Sequence, residues 1–189
     1  MRDKTAVFHQ GWLPEAERRN SPFFNARPEH CQGRNIDLIV VHCISLPAGD
    51  YSQNFVDDLF MGRLQGDEHP SFIDLVGLEV SSHFFIRRDG RLMQYVSCDD
   101  RAWHAGESCW QDRQNCNDFS IGIELEGIDS DSFTLAQYEC LSRLSQQLMQ
   151  HYSLSEDAIV GHCDVAPGRK TDPGPGFDWA YFRQSLALV

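Results

Sequence analysis

Short apolar runs predict two strands that end at a histidine. Residues 36–42 form a β-branched apolar run, short enough for a buried strand, and His42 is its last residue. A second short run, residues 158–162, ends in the same way at His162. Because functional side chains concentrate where an element gives way to a loop, both histidines are candidate site residues.

A strand with two unlike faces is predicted over residues 121–127. Apolar side chains alternate there with Gly122, Glu124 and Glu126, so one face is apolar and the other carries two carboxylates. A carboxylate on an otherwise apolar strand is costly unless it has a partner or a task. We therefore expect Glu124 to act as a general base, and Glu126 on the same face is its competitor.

Apolar residues at helical spacing predict three helices, and an Asp-Gly pair predicts one β-hairpin. The helices are expected at residues 54–65, from a capping box at Thr134 onward, and at residues 177–188. The hairpin strands are expected at residues 82–86 and 91–97, because an Asp-Gly pair suits a tight turn.

The order of these elements predicts an α/β fold, a single domain with a central mixed β-sheet flanked by helices. The chain has 189 residues, the length of one ordinary domain. Residues 1–35 lack periodicity and are rich in proline and arginine. We expect them to form an irregular N-terminal arm packed on a catalytic domain of residues 36–189.

The net charge indicates which partners the protein is expected to bind, and the cysteine content indicates its cellular compartment. The chain has 16 basic and 28 acidic residues and a formal charge of −12, which repels nucleic acid and anionic lipid. We therefore expect neither as a partner, and no obligate protein partner is inferred. Seven cysteines without a Cys-x-x-Cys pair, and a start without an apolar signal-peptide core, predict reduced thiols and a cytoplasmic location.

The loop after His162 offers the remaining groups of a metal site. Two imidazoles, from His42 and His162, and one carboxylate form a tetrahedral catalytic site for Zn²⁺ with water in the fourth position. The loop supplies Asp164 and Asp172, and spacing does not separate the two. Lys170 lies in the same loop and is one of only two lysines in the chain. Its compact ammonium is expected to stabilise the oxyanion of a tetrahedral intermediate.

A candidate substrate-binding loop follows the hairpin. Trp103, His104 and Ala105 place an aromatic side chain next to a polar ring and a small residue, with a glycine directly after them. Such a loop lets a sugar or a peptide approach the backbone closely.

The motifs around these candidates resemble those of the AmpD-type amidases. That family comprises bacterial zinc enzymes within the wider fold family of phage lysozyme-amidases and peptidoglycan-recognition proteins. Two of the matching motifs are CNDFSIGIELEG at 116–127, which is the longest, and KTDPG at 170–174. The others, in family order, are at residues 41–42, 44–47, 82–84, 88–90, 101–106, 161–164 and 177–179.

The resemblance implies a role for each candidate residue. By position, the zinc ligands of the family fall on His42, His162 and Asp172, its catalytic glutamate on Glu124 and its catalytic lysine on Lys170. It also implies the reaction, hydrolysis of the amide between the lactyl group of (1,6-anhydro)-N-acetylmuramic acid and the L-alanine of the stem peptide. This reaction belongs to cytoplasmic peptidoglycan recycling, and its substrate is a small muropeptide.

Two other functions share the same groove. A non-catalytic module that recognises peptidoglycan fragments usually lacks a zinc ligand, and none is missing here. A periplasmic amidase that acts on intact peptidoglycan would use the same chemistry, but the cysteine content and the start of the chain favour the cytoplasmic enzyme.

Overall fold

The computed structural model describes residues 8–31 and 35–187. They form a central mixed sheet with helices packed against it. The strands are β1 (Glu17–Arg18), β2 (Phe24–Ala26), β3 (Leu38–Ile44), β4 (Phe84–Ile86), β5 (Leu92–Gln94), β6 (Asp100–Ala102), β7 (Cys109–Trp110), β8 (Arg113–Gln114), β9 (Ser120–Glu126) and β10 (Ile159–Gly161). The α-helices are α1 (Phe55–Phe60), α2 (Leu135–Tyr152), α3 (His162–Val165) and α4 (Trp179–Leu186).

Six strands form the main sheet, in the order β1-β5-β4-β9-β3-β10. At its centre β9 runs parallel to both β3 and β4, and β10 runs parallel to β3. The predicted hairpin is present as the antiparallel pair β4 and β5. Because β3, β9 and β10 are parallel neighbours, the residues at their carboxyl ends are brought to one edge of the sheet.

The main apolar core lies between one face of this sheet and the helices α2 and α4. It takes alternate residues of the central strands and the periodic residues of the helices: Ile39, Val41, Ile121, Ile123, Leu125, Tyr138, Leu141, Leu144, Leu148, Phe182 and Leu186. Helix α2 begins with the predicted capping box, in which Thr134 Oγ1 accepts from Gln137 N at 3.1 Å. Since strand side chains alternate, His42 and Glu124 point to the opposite face.

Several element boundaries differ from the sequence prediction. Strand β3 continues to Ile44, so His42 lies within the strand and not at its end. Helix α1 ends at Phe60 instead of continuing to residue 65, because Gly62 adopts a φ of +68°, which breaks the helical backbone. Strand β10 ends at Gly161, so His162 is the first residue of the short helix α3 and not a strand end. The last predicted helical residue, 188, lies outside the described residues.

The N-terminal segment contributes to the sheets, which its lack of periodicity did not predict. Strand β1 pairs in parallel with β5, and β2 pairs with β6. Residues 1–7 and 32–34 of the predicted arm lie outside the described part of the chain. Within the described ranges, no helix is both long and apolar enough to cross a membrane.

Candidate metal centre and active site

His42, His162 and Asp172 converge at the carboxyl edge of the sheet. Their ligand atoms all lie within 4.8 Å of one another. The two Nδ1 atoms are 3.0 Å apart, and Asp172 Oδ2 is 3.0 Å from that of His162 and 3.1 Å from that of His42. The loop is closed back on helix α3 because Cys163 N donates to the backbone oxygen of Asp172 at 3.0 Å. The structure thus brings together the three predicted metal ligands.

The competing carboxylate, Asp164, has another partner. Its Oδ2 accepts from the backbone N–H of Gly161 at 2.7 Å, which caps the start of helix α3. The residue is exposed, and its carboxylate does not belong to the cluster. Hence the structure separates Asp172 from Asp164, which the spacing alone could not.

The chemistry of the three donors fits a divalent metal ion. His162 Nε2 lies 3.1 Å from the carbonyl oxygen of Ala105, which can only accept, so the proton of this ring is on Nε2 and the lone pair of Nδ1 faces the cluster. Burial lowers the pKa of His42 to about 4, so this imidazole is neutral at neutral pH. Two imidazoles and a carboxylate match the ligand set of catalytic zinc sites.

Glu124 is a buried carboxyl group next to this cluster. It is the register neighbour of His42 across strands β9 and β3. Burial, together with the negative charge of Asp172, raises its pKa well above the ordinary value. Among the residues that the structure describes, none donates a hydrogen bond to its Oε2. A carboxyl group held in this way is suited to take up and release a proton.

Glu126, the competitor of Glu124, is engaged elsewhere. Its Oε1 lies 3.0 Å from an Nη atom of Arg87, and its Oε2 accepts from the backbone N–H of Arg88 at 2.9 Å. This carboxylate therefore ties β9 to the end of β4, and it is not free to act on a substrate.

The cluster opens into a cavity of about 250 Å³. One part of its wall is polar and includes Glu124 and Lys170 beside the three ligands, and the other part is apolar: Leu59, Phe60, Leu75, Leu78, Val80 and Trp103. Lys170 is an exposed residue, so its ammonium is accessible to a bound molecule. A larger cavity of about 660 Å³ beside β10 contains none of the three ligands, and the chemistry favours the smaller one.

Two of the three predicted substrate-binding residues, Trp103 and His104, line the cavity, and Ala105 does not. Trp103 lines the cavity, and its Nε1 donates to Asn25 Oδ1 at 2.7 Å. His104 is partly exposed and also lines the cavity, and its Nδ1 lies 2.9 Å from His42 Nε2. Desolvation of the ring lowers its pKa well below the ordinary value. Ala105 is fully buried, and its carbonyl accepts from His162. The structure therefore places Ala105 in contact with a metal ligand and away from the cavity surface.

Further residues support the site without being evident from the sequence. Asn117 Oδ1 accepts from the backbone N–H groups of His104 and Ala105, at 3.1 and 2.8 Å. Asp129 accepts from the hydroxyl group of Thr171, between Lys170 and Asp172. These polar residues have no distinguishing local pattern, since each contact joins distant parts of the chain.

The fold and the site are those of a known family of amidases. Residues 32–175 match the family described as Amidase_2, N-acetylmuramoyl-L-alanine amidase. The match spans more than half of the chain, so the chain belongs to the N-acetylmuramoyl-L-alanine amidase family. The expectations of an enzyme and of an amidase-like mixed-sheet fold are confirmed.

Within this family the chain is similar to AmpD proteins, which confirms the resemblance of its motifs. It is 50% identical over 179 residues to the 1,6-anhydro-N-acetylmuramyl-L-alanine amidase AmpD of Salmonella typhimurium (strain SL1344), covering 95% of this chain and 94% of the relative. The crystal structure of a Se-Met AmpD derivative is similar with a TM-score of 0.90 and 48% identity, over 95% of this chain and 99% of that one.

A third similar protein has been solved with a substrate. It is the N-acetylmuramyl-L-alanine amidase AmiD from E. coli in complex with anhydro-N-acetylmuramic acid-L-Ala-D-gamma-Glu-L-Lys. Its TM-score to this chain is 0.61 at 29% identity, and the match covers 84% of this chain and 60% of that one.

Proposed function

We propose that this chain hydrolyses the amide between the lactyl group of (1,6-anhydro)-N-acetylmuramic acid and the L-alanine of the stem peptide, with Zn²⁺ held by His42, His162 and Asp172. The observation that carries the proposal is the convergence of these three donors beside the buried carboxyl group of Glu124 in one cavity. The similarity to AmpD proteins supports the choice of bond.

The residues of the cavity divide the work of hydrolysis. A zinc ion held by His42, His162 and Asp172 would supply a Lewis acid in the cavity. Glu124 takes a proton from a water molecule as its oxygen attacks the lactyl carbonyl carbon, and gives this proton to the alanine nitrogen as the C–N bond breaks. The ammonium of Lys170 stabilises the negative charge on the carbonyl oxygen. The products are a free carboxylic acid on the sugar and a free amine on the peptide.

We assign the enzyme to a small muropeptide substrate and to cytoplasmic peptidoglycan recycling. The modest cavity volume of about 250 Å³ is consistent with a small ligand. All seven cysteines are free thiols, which fits a reducing compartment. Trp103, on the cavity wall, is the residue that we assign to substrate contact.

Product analysis tests the reaction and the substrate class together. Purified protein would be incubated side by side with an anhydromuramyl tripeptide and with intact sacculi, and the products identified by mass spectrometry. We expect anhydro-N-acetylmuramic acid and free tripeptide from the first substrate and little release from the second. Release from sacculi alone would show an amidase of intact peptidoglycan, and release from neither by zinc-loaded protein would overturn the proposal.

Substitution of Asp172 and of Asp164, one at a time, tests the metal assignment. We expect elemental analysis to find one zinc ion per chain, and Asp172→Ala to lose both zinc and activity. Asp164→Ala is the matched control and should keep the zinc, because its carboxylate only caps helix α3. Zinc lost from Asp164→Ala and kept by Asp172→Ala would contradict the ligand set.

A further inference from the structure

A chain of hydrogen bonds runs from the backbone to the metal ligand His42. Ser120 Oγ lies 2.5 Å from the carbonyl oxygen of Cys116, and His104 Nε2 lies 3.2 Å from Ser120 Oγ. On its other side, His104 Nδ1 lies 2.9 Å from His42 Nε2. The His104 ring thus connects a fixed backbone acceptor to the side of the His42 ring that faces away from the cluster.

The donor and acceptor in each hydrogen bond of this chain follow from the first acceptor, the carbonyl oxygen of Cys116. The carbonyl oxygen of Cys116 can only accept, so the hydroxyl proton of Ser120 is committed to it. Ser120 Oγ then accepts from His104 Nε2–H, and a neutral imidazole with its proton on Nε2 has a lone pair on Nδ1. This lone pair accepts the Nε2–H of His42. The remaining lone pair of His42, on Nδ1, is the atom that faces His162 and Asp172.

The position of the His104 ring is determined by its surroundings. It lies directly over Gly122, where a Cβ atom would come within 2.5 Å of the imidazole. The backbone N–H of His104 donates to Asn117 Oδ1. Strand β9 therefore has a glycine where the ring needs the space, and the ring cannot move without breaking the contacts on both of its nitrogens.

We propose that His104 is a positioning residue, which holds His42 in the Nε2–H tautomer so that its Nδ1 lone pair is always directed at the metal. This inference rests on the proposed metal site, but not on the identity of the substrate. Hydrogen-bond partners of metal-binding histidines fix the tautomer and the ring orientation, and their loss typically costs about 10–100-fold in metal affinity. The role differs from the substrate contact predicted for this residue from the sequence.

The first test is made on the unmodified protein loaded with Zn²⁺, because without the metal Asp172 Oδ2, at 3.0 and 3.1 Å, would itself attract a proton to the Nδ1 atoms of His162 and His42. Long-range ¹H–¹⁵N correlation spectra of ¹⁵N-histidine-labelled protein report which nitrogen of each ring carries the proton. We expect His42, His104 and His162 all in the Nε2–H form. His42 protonated on Nδ1 would overturn the proposal, and this result does not depend on amidase activity.

The second test compares zinc affinity among variants by competition with a chelator. His104→Phe keeps a ring but removes the acceptor, so we expect the zinc Kd to rise about 10–100-fold. His104→Asn should recover much of the affinity, because its amide oxygen can accept from His42 Nε2–H. His151→Phe is the matched control and should leave Kd unchanged, since its ring packs on Phe8 and Tyr152.

These outcomes separate the new role from the proposed function. An unchanged zinc Kd in folded His104→Phe, with a raised KM for the muropeptide, would assign His104 to substrate binding and overturn the positioning role. A weakened zinc Kd that His104→Asn restores supports positioning even if the substrate proves to be another amide. Circular dichroism of the metal-free variants identifies any that fail to fold, for which the tautomer measurement on the unmodified protein decides.

Discussion

Glu124 and Glu126 occupy the same face of one strand but differ in their partners. Glu124 is buried with an unpartnered Oε2 among the described residues, whereas Glu126 forms a buried ion pair with Arg87. A buried polar atom without a partner costs free energy, and a buried pair costs most when only one member is removed. We therefore expect the loss of each carboxylate to change the free energy of unfolding in the opposite direction.

We expect Glu124→Met to abolish turnover while it stabilises the metal-free protein. The loss of a general base lowers the rate about 10²–10⁴-fold, and zinc content should not change because Glu124 is not a ligand. Removal of an unsatisfied buried group should raise the free energy of unfolding by about 1–3 kcal/mol. Urea unfolding and elemental analysis measure these effects.

Glu126→Met is the matched control on the same strand. It leaves the Arg87 guanidinium buried and without its carboxylate, so we expect the free energy of unfolding to fall by about 3–5 kcal/mol. Equal effects of the two substitutions would contradict the distinction between them. Zinc lost from Glu124→Met would show that this residue is a ligand.

Lys170 allows charge and shape to be separated. If its ammonium stabilises the oxyanion, Lys170→Met should lower single-turnover rates on a muropeptide about 10²–10³-fold, with zinc content unchanged. Lys170→Arg should recover only part of the rate, because the guanidinium donors lie in a fixed planar fork. Near-full turnover of Lys170→Met would show that this exposed lysine has no part in the reaction.

At the residue scale, the sequence predicted the types of groups better than their partners. His42 and His162 were evident because each follows an apolar run, although His42 lies within β3 and His162 begins helix α3. The choice of Asp172 over Asp164 depends on how the loop closes onto helix α3. His104 could not be recognised as a neighbour of His42, because their contact joins a loop to a strand far away in the chain.

At the element scale, elements with a strong period of apolar residues were predicted, and elements without one were not. Strands β3 and β9 and helix α2 were predicted to within a few residues, because each buries a regular set of apolar side chains. Strand β1 consists of two exposed residues, and it is a strand because its backbone pairs with β5. A strand of this kind is determined by tertiary pairing and has no pattern of its own.

The capping box of α2 should affect stability without affecting the site. Thr134 Oγ1 accepts from Gln137 N and donates to the carbonyl oxygen of Arg88 at 2.7 Å, which joins the helix to the β4–β5 turn. We expect Thr134→Ala to lower the free energy of unfolding by about 1–2 kcal/mol, and Thr134→Ser to retain most of it. Zinc content and turnover should be unchanged in both, and a loss of zinc in either would mean that α2 is coupled to the site.

At the scale of the whole molecule, the N-terminal segment is connected to the site by one buried arginine. Arg27 is 2% exposed and donates to four backbone carbonyls, those of Cys98, Asn117, Asp118 and Ser120. Two of these acceptors belong to Asn117 and Ser120, which also contact His104. The segment before residue 36 is thus joined to the residues that support the metal ligands.

We expect Arg27→Met to destabilise the whole chain and not only its N-terminal segment. Each buried carbonyl left without a donor costs about 1–3 kcal/mol, so the free energy of unfolding should fall by at least about 3 kcal/mol. Arg91→Met is the matched control, because this arginine is exposed and paired with the exposed Asp89, and surface pairs contribute little. Hydrogen exchange would locate the effect. Loss of protection confined to residues 8–31 would show a separable arm, whereas loss that extends through β9 would show that the segment and the catalytic domain unfold as one unit.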